Sequence, residues 1–228
     1  MHSKLNKARS AARNNADLCA AIMAANEIRT ERDEIAYFCI DDPPPYYPKM
    51  VTLDPEATRE LNVRAKGASV IKDSFSCLDV DSLGVNVAFD ASWIWCEIKQ
   101  HALPANWVRI ETAHDLMAWH QAWCGDDSSM DQLVFTPRCL ENNSLAFLAR
   151  LSGTRIEAGC IANLSEDVIG ISNVFSTVLN DQSYYEEALS VVSMVGNGRP
   201  VVGYERGTSL QAATSAGFQV VGPLRVLM

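Results

Sequence analysis

Three neighbouring side chains near the end of the sequence could transfer protons. Tyr204, Glu205 and Arg206 come directly after residues 200–203, a run that is apolar enough for a short buried strand. A carboxylate can accept a proton as a general base, and a phenol can donate one as a general acid. Tyr204 and Glu205 could therefore act as an acid and base pair. The alternative is structural: Tyr204 forms a hydrogen bond at the strand end, and Glu205 pairs with Arg206 on the surface.

Two further polar clusters stand beside aromatic residues in the first half of the sequence. Residues 72–76 read Lys-Asp-Ser-Phe-Ser, and residues 90–93 read Asp-Ala-Ser-Trp. Side chains of this kind can bind a small polar ligand. Turns at strand ends, each with a packed aromatic ring, would explain both clusters as well.

Several common catalytic and metal-binding patterns do not occur in the sequence. His114 and His120 are six residues apart on one predicted helix, so they cannot share a metal as histidines four apart would. The seven cysteines are never spaced as Cys-x-x-Cys, and we expect most of them to be small buried residues. Neither Gly-x-Ser-x-Gly nor a Gly-Lys-Ser phosphate loop is present. We therefore predict no metal site and neither a hydrolase nor an NTPase of the common types.

The composition indicates a folded chain without a basic face. Its 228 residues are 48% hydrophobic, which is enough for a substantial core, and they carry a net charge of -9. A nucleic-acid partner is not expected, because phosphate neutralisation needs clustered Lys and Arg. No apolar run approaches the ~20 residues of a membrane span, and the run at residues 18–25 is too short for a secretion signal. The expected location is the cytoplasm, and no membrane partner is expected.

The first half of the sequence predicts two helices and five strands. The helices are predicted over residues 3–29 and 54–66, the second with Asp54 as its N-cap, and the strands over residues 35–40, 50–53, 70–78, 84–89 and 93–98. Turn-forming residues at 79–82 and 90–92 separate the last three strands. The prolines at 43–45 suit a stiff connector or a polyproline segment that binds a partner.

The second half predicts a regular alternation of strands and helices. The predicted strands are residues 107–111, 145–151, 156–164, 168–175, 200–203 and 218–227. The predicted helices begin at the caps Thr112, Ser183 and Thr208, the second with Glu186 as the partner in a capping box. A strand, helix, strand unit spans residues 168–203, and a crossover of this kind should make its two strands parallel.

This order of elements resembles the GNAT family of acyl-CoA N-acyltransferases. Residues 200–204 read Pro-Val-Val-Gly-Tyr, like the family's fifth strand, and residues 209–218 resemble its next helix, which ends in Gly-Phe. The resemblance covers residues 107–227 and implies an α/β fold with a mixed, mostly antiparallel sheet and flanking helices. We expect an N-terminal α/β region at residues 1–103 and a GNAT-like domain at residues 104–228. The N-terminal region is either a degenerate second GNAT-like unit or an added wall of the first.

The resemblance also implies where a substrate would bind. In GNAT proteins the fourth and fifth strands splay apart, and the pantetheine arm of acyl-CoA inserts between them. Backbone groups of Asn173, Val174 and Phe175 would then contact the pantetheine amides, and Arg206 would be available to a phosphate. The implied activity is transfer of an acyl group, acetyl in the first instance, to an amine, with Glu205 as the base. The expected partners are acetyl-CoA or another acyl-CoA and a small-molecule amine, and the protein could form a homodimer.

Two positions depart from the family pattern. The family's pyrophosphate loop contains glycines, but no glycine occurs from residue 171 to residue 195, and Glu186 and Glu187 stand in the first turn of the predicted helix. The tyrosine that many members use as a general acid is replaced by Ala213, which leaves Tyr204 as the nearest substitute. Both departures also fit a second hypothesis, a non-catalytic GNAT-fold binding or regulatory protein that has lost the pyrophosphate loop.

Overall fold

The centre of the molecule is a single mixed sheet, seen in a computed structural model that describes residues 3–97, 104–125, 133–181 and 183–228. The strands in this part of the chain are β1 (Thr30–Arg32), β2 (Ala36–Cys39), β3 (Met50–Thr52), β4 (Ile71–Asp73), β5 (Val87–Cys96), β6 (Trp107–Arg109), β7 (Leu145–Ser152), β8 (Arg155–Leu164), β9 (Ile169–Ser176), β10 (Val201–Glu205) and β11 (Gln219–Leu227). Their spatial order is β1-β2-β3-β4-β11-β5-β10-β9-β8-β7-β6. Neighbouring strands are antiparallel except for β3 with β4 and β9 with β10, which are parallel.

Helices cover both faces of this sheet. They are α1 (Lys4–Ala25), α2 (Thr58–Arg64), α3 (Val80–Leu83), α4 (Ala113–Cys124), α5 (Tyr184–Gly196) and α6 (Gly207–Ser215). On one face α1 crosses the centre and packs with α4 around a core that includes Trp93 and Trp119. On the other face α5 and α6 bury a second core around Ile94 and Leu189. No helix within the described ranges is both long enough and apolar enough to cross a membrane.

The strand order repeats about the centre of the sheet. Strands β1–β5 and β7–β11 form two sets of five. When each strand is replaced by the strand of the same rank in the other set (β1 by β7, β2 by β8 and so on), the sheet has the same strand order read from its opposite edge. Each half therefore has the same succession of elements, and each gives its last strand to the other half: β5 pairs with β10, and β11 pairs with β4. This order favours a second GNAT-like unit over an added wall as the description of the N-terminal region.

The expected boundary between residues 103 and 104 adjoins residues 98–103, which lie outside the described part of the chain. At the centre of the sheet the order is β4-β11-β5-β10, so strands from before the boundary alternate with strands from after it. The division into residues 1–103 and 104–228 stays a prediction. Its two segments share one sheet rather than forming two separate ones.

Three predictions for the first half are wrong in detail. Residues 90–92 form no turn, because they pair in register with residues 223–225 of β11 inside the continuous strand β5. The strand predicted over residues 70–78 ends at Asp73, whose carboxylate accepts hydrogen bonds from the backbone N–H groups of Cys77 and Leu78 and so bends the chain. The turn predicted at residues 79–82 is the short helix α3, with Asp79 as its N-cap.

In the second half, the predicted parallel pairing of β9 and β10 is confirmed. Ser183 is the N-cap residue of α5, as predicted, but it forms no capping box. Its hydroxyl lies 3.0 Å from a carboxylate oxygen of Asp181 and 2.9 Å from one of Glu187, and it makes no capping bond. The predicted cap Thr208 is wrong. The last helix begins at Gly207 with Arg206 as its N-cap, so Thr208 lies inside the first turn.

Candidate functional site

β9 and β10 diverge where the candidate residues lie. The two strands pair only at Ile169 with Val201 and at Gly170 with Val202. One residue further on, the strands touch so closely that a Cβ atom at Gly203 would lie 2.6 Å from the carbonyl oxygen of Ile171. The ladder between the two strands ends there, although both strands continue. Beyond this close contact, residues at the carboxyl ends of both strands line one cavity, in agreement with the splayed strands that the resemblance implies.

A cavity of about 350 Å³ opens at these strand ends. Its walls come from α1, from β4, from the loop between β2 and β3, and from the diverging ends of β9 and β10. Apolar side chains such as Leu18 and Phe89 form much of the lining, and a smaller number of polar groups stand among them. A volume of this size and a mainly apolar lining are typical of small-molecule sites.

Glu205 enters the cavity from the face that carries α5. Its carboxylate accepts a hydrogen bond of 3.1 Å from the hydroxyl of Tyr185, a buried residue of α5. Burial raises the pKa of Glu205 to about 7, and the hydrogen bond from Tyr185 opposes part of this effect. A carboxylate with such a pKa exists in both protonation states near neutral pH, which suits a general base.

Tyr204 enters the same cavity from the opposite face, because successive residues of a strand point to opposite sides of the sheet. Its ring lies edge-on to Trp93, with 5.6 Å between the ring centroids. Arg206 is exposed, and its guanidinium lies 4.3 Å from the centroid of the Phe89 ring. Glu205 is therefore hydrogen-bonded inside the site, and the alternative of a surface pair with Arg206 does not describe these residues.

The residues expected to contact a pantetheine arm lie along the end of β9. Asn173 and Val174 line the cavity, and Asn173 has a positive φ of 50°, which marks an irregular backbone at the gap. The side chain of Phe175 packs against Trp119 instead, with 5.2 Å between the ring centroids. Two of the three predicted positions thus border the cavity, and Phe175 belongs to the core beside it.

The N-terminus of α5 is occupied by carboxylates of the chain itself. Asp181 accepts a hydrogen bond of 3.1 Å from the backbone N–H of Ser183, and Arg150 forms ion pairs with both Asp181 and Glu187. Burial alone would raise the pKa of Asp181, but hydrogen bonds from Arg150, Ser176 and Ser183 outweigh it and lower that pKa. The place where GNAT proteins bind a pyrophosphate therefore already holds negative charge.

In the polar cluster at residues 72–76, Asp73 has a structural role and Lys72 belongs to the cavity. Asp73 is fully buried and pairs with Arg225 at 2.9 Å, whereas Lys72 lines the cavity. Tyr47 and Tyr185 have no sequence signal that marks them as site residues, because a tyrosine in an apolar helix stripe or beside a proline gives no sign of where its hydroxyl points. The cavity also contains Cys19, and burial raises the pKa of its thiol to about 11, which makes it a poor nucleophile at neutral pH.

No cluster of three or more His, Cys, Asp or Glu side chains suited to a metal ion occurs among the described residues.

The chain resembles known proteins in structure and not in sequence. No family model matches the sequence, and no curated protein matches it. Among solved structures, the chain resembles a GNAT-family protein from Novosphingobium aromaticivorans with a TM-score of 0.57 and 11% identity, over 89% of this chain and 91% of that one. It also resembles GCN5-related N-acetyltransferases from Kribbella flavida (TM-score 0.54, 12% identity, 93% and 94% covered) and Sphaerobacter thermophilus (0.54, 10%, 96% and 92%).

These similarities show that the chain has the GNAT fold, a large, mostly antiparallel sheet with flanking helices. The matched region is most of the chain, so the resemblance extends well beyond residues 107–227, the region that the sequence motifs cover.

Proposed function

We propose that this protein is an N-acyltransferase that moves an acyl group, acetyl in the first instance, from an acyl-CoA thioester to the amine of a small molecule. The observation that carries the proposal is the position of Glu205. This carboxylate has a pKa of about 7 and lies in a cavity at the point where two parallel strands diverge. A proton acceptor beside a gap of the kind that holds a pantetheine arm in the GNAT fold is what aminolysis of a thioester requires.

In the proposed reaction, the amine nitrogen attacks the thioester carbonyl carbon, so a C–N bond forms and the C–S bond breaks. Glu205 takes the proton that the nitrogen loses, and its hydrogen bond from Tyr185 holds the acceptor oxygen in place. The hydroxyl of Tyr204, on the other side of the cavity, gives a proton to the departing thiolate. Exchange with water then returns both side chains to their starting states.

The chain suits one part of an acyl-CoA donor better than the other. The gap bordered by Asn173 and Val174 can accept an extended pantetheine arm. The N-terminus of α5 cannot take the pyrophosphate without displacing Asp181 from its hydrogen bonds. Arg206, the N-cap residue of α6, is available to a phosphate of the donor, as the resemblance implies.

The same observation at α5 favours a second candidate function. A protein that has replaced a phosphate site by Asp181, Glu187 and their shared partner Arg150 could keep the fold and its cavity without binding CoA. This candidate is a non-catalytic binding or regulatory protein. Donor binding distinguishes the two functions, because only the enzyme needs it.

The first test is the melting temperature of the protein with and without acetyl-CoA and free CoA. At ~100 times the dissociation constant, a ligand of the folded state adds ~2.7 kcal/mol, or roughly 5 to 10 °C for a chain of this size. We expect this rise, followed by release of free thiol when a panel of amines is added. No shift at millimolar acetyl-CoA would favour the binding protein.

The second test uses Glu205→Gln, which keeps the shape of the side chain and removes its titration. We expect the acetyl-CoA shift to remain and the rate of transfer to fall by about 10²- to 10⁴-fold, the usual contribution of a general base. Glu31→Gln, in the exposed part of β1, is the matched control and should behave as wild type. Undiminished transfer by Glu205→Gln would remove Glu205 from the mechanism.

A further inference from the structure

Lys72 is a buried cation that no acid balances. It is 6% exposed, and its ammonium donates a hydrogen bond of 2.8 Å to the side-chain oxygen of Asn15. The ammonium also lies 4.5 Å from the centroid of the Tyr204 ring. Within the described ranges, the lysines that form ion pairs are Lys7 and Lys49, and Lys72 forms none. An ammonium has three N–H donors, so a bond to Asn15 leaves capacity for an anion in the cavity.

Tyr47 adds a second polar group whose hydroxyl is poorly satisfied. The residue is 8% exposed and lines the same cavity, and its hydroxyl makes no hydrogen bond of ordinary geometry within the described ranges, although it interacts with the side chain of Asn173, which lines the cavity too. A buried hydroxyl without a partner costs free energy, and proteins rarely keep one without a reason. A ligand oxygen in the cavity would give this hydroxyl an acceptor.

The cavity therefore has unlike charges on its two sides. Lys72 is held by Asn15 of α1, and Glu205 is held by Tyr185 of α5, on the opposite face of the sheet. One cavity reaches both residues because β9 and β10 no longer pair at that point. A ligand that spans it would have its negative group at Lys72 and its basic group at Glu205.

We infer that the cavity binds an amino-acid-like molecule, with its carboxylate on Lys72 and Tyr47 and its amine directed toward Glu205. The apolar lining, which includes Leu18 and Phe89, suits an aliphatic or aromatic side chain. The role of that amine as acyl acceptor rests on the proposed function. The carboxylate site does not, because it is argued from the free N–H donors of Lys72 and the hydroxyl of Tyr47 in the cavity and not from any reaction.

The test compares acids with their amides. The binding of L-leucine and L-phenylalanine, and of the corresponding primary amides, is measured by calorimetry and melting temperature on the full chain without donor. We expect the better acid to bind about 10- to 100-fold more tightly than its amide, the usual value of a hydrogen bond to a charged group. Lys72→Met should abolish this preference and leave amide binding unchanged, and Tyr47→Phe should weaken the acid by up to about tenfold.

Two controls separate this effect from damage to the fold. Lys66→Met removes an exposed lysine of the same charge and should leave the preference intact. Lys72→Met keeps most of the aliphatic stem and removes an unbalanced charge, so its melting temperature without ligand should equal or exceed that of wild type. Equal binding of acids and amides, a preference that survives Lys72→Met, or no binding of any probe at millimolar concentration would overturn the inference.

Transfer from acetyl-CoA to the same acids and amides is measured in parallel. Acid binding that depends on Lys72 without any transfer would leave the carboxylate site standing and reject the enzyme. Transfer to amides as fast as to acids, unaffected by Lys72→Met, would support the enzyme and reject the carboxylate site.

Discussion

The raised pKa of Glu205 should make the stability of the fold fall as pH increases. The ordinary pKa of a glutamate is 4.5, and that of Glu205 in the folded protein is about 7. Between these two values the unfolded chain releases a proton that the folded protein still holds, so rising pH favours unfolding. The penalty is absent below about pH 4.5 and complete above about pH 7. At 1.36 kcal/mol for each pKa unit it amounts to roughly 3 kcal/mol.

Glu205→Gln isolates this contribution, because glutamine does not titrate and can still accept the hydrogen bond from Tyr185. The free energy of unfolding of variant and wild type is measured by urea denaturation at several values between pH 4 and pH 8.5. We expect the difference between the two to increase in favour of the variant by roughly 3 kcal/mol from the lowest pH to the highest.

The subtraction removes the pH dependence of every other group. A flat difference for Glu205→Gln would show that folding leaves the pKa of this carboxyl at its ordinary value, and a falling one would mean that folding lowers its pKa. Either result would refute the argument from burial. A transfer rate that rises through about pH 7 in the wild type would agree with the stability curve, since the base must be ionised to act.

Two further predictions concern the surroundings of the site. Arg150→Met leaves the carboxylates of Asp181 and Glu187 without their cation and should lower the free energy of unfolding by about 3 to 5 kcal/mol in urea denaturation. The control Arg155→Met breaks an exposed ion pair with Glu157 and should cost less than about 1 kcal/mol. Similar losses for the two variants would contradict a special role for the ion pairs at the N-terminus of α5. Gly203→Ala puts a Cβ atom 2.6 Å from the Ile171 carbonyl oxygen, so we expect a loss of about 1 to 3 kcal/mol and a reduced acetyl-CoA shift; a variant with wild-type stability and donor shift would show that the strands can move apart at this point.

The sequence predicted the helix and strand succession well where local signals and long-range packing agree. The helix after Thr112 and the hairpin at residues 145–164 have strong caps, turns and apolar periodicity, and both are present. The parallel pairing of β9 and β10 followed from the strand, helix, strand order, whose crossover makes the two strands parallel. Such elements need no knowledge of distant partners.

The prediction failed where a distant strand determines the local structure. Asp90, Ala91 and Ser92 are turn-forming residues by type, yet they lie in β5, where all three pair with β11 and Ser92 also pairs with β10. Pairing with a distant strand outweighs a local turn preference. No pattern within the first half could reveal that its last strand pairs with segments more than a hundred residues later.

The candidate site was predictable in part for the same reason. Glu205, Tyr204 and the β9 residues follow each other along one strand, helix, strand unit, so the resemblance located them. Lys72 was noted as polar, but its place in the cavity depends on the sheet order, and Asn15 and Tyr47 reach it from α1 and a loop. Sites assembled from separate segments leave few local marks in a sequence.

The exchange of last strands between the two halves also determines when the protein can complete its fold. β11 lies between β4 and β5, and β5 lies between β11 and β10, so neither half can complete its sheet alone. During synthesis, the helices and hairpins of the first half must wait for a strand that emerges from the ribosome more than a hundred residues after β5. Contacts of such long sequence separation are formed slowly. The edges of β4 and β5 that β11 covers in the finished fold therefore stay unpaired until the last strand has been made.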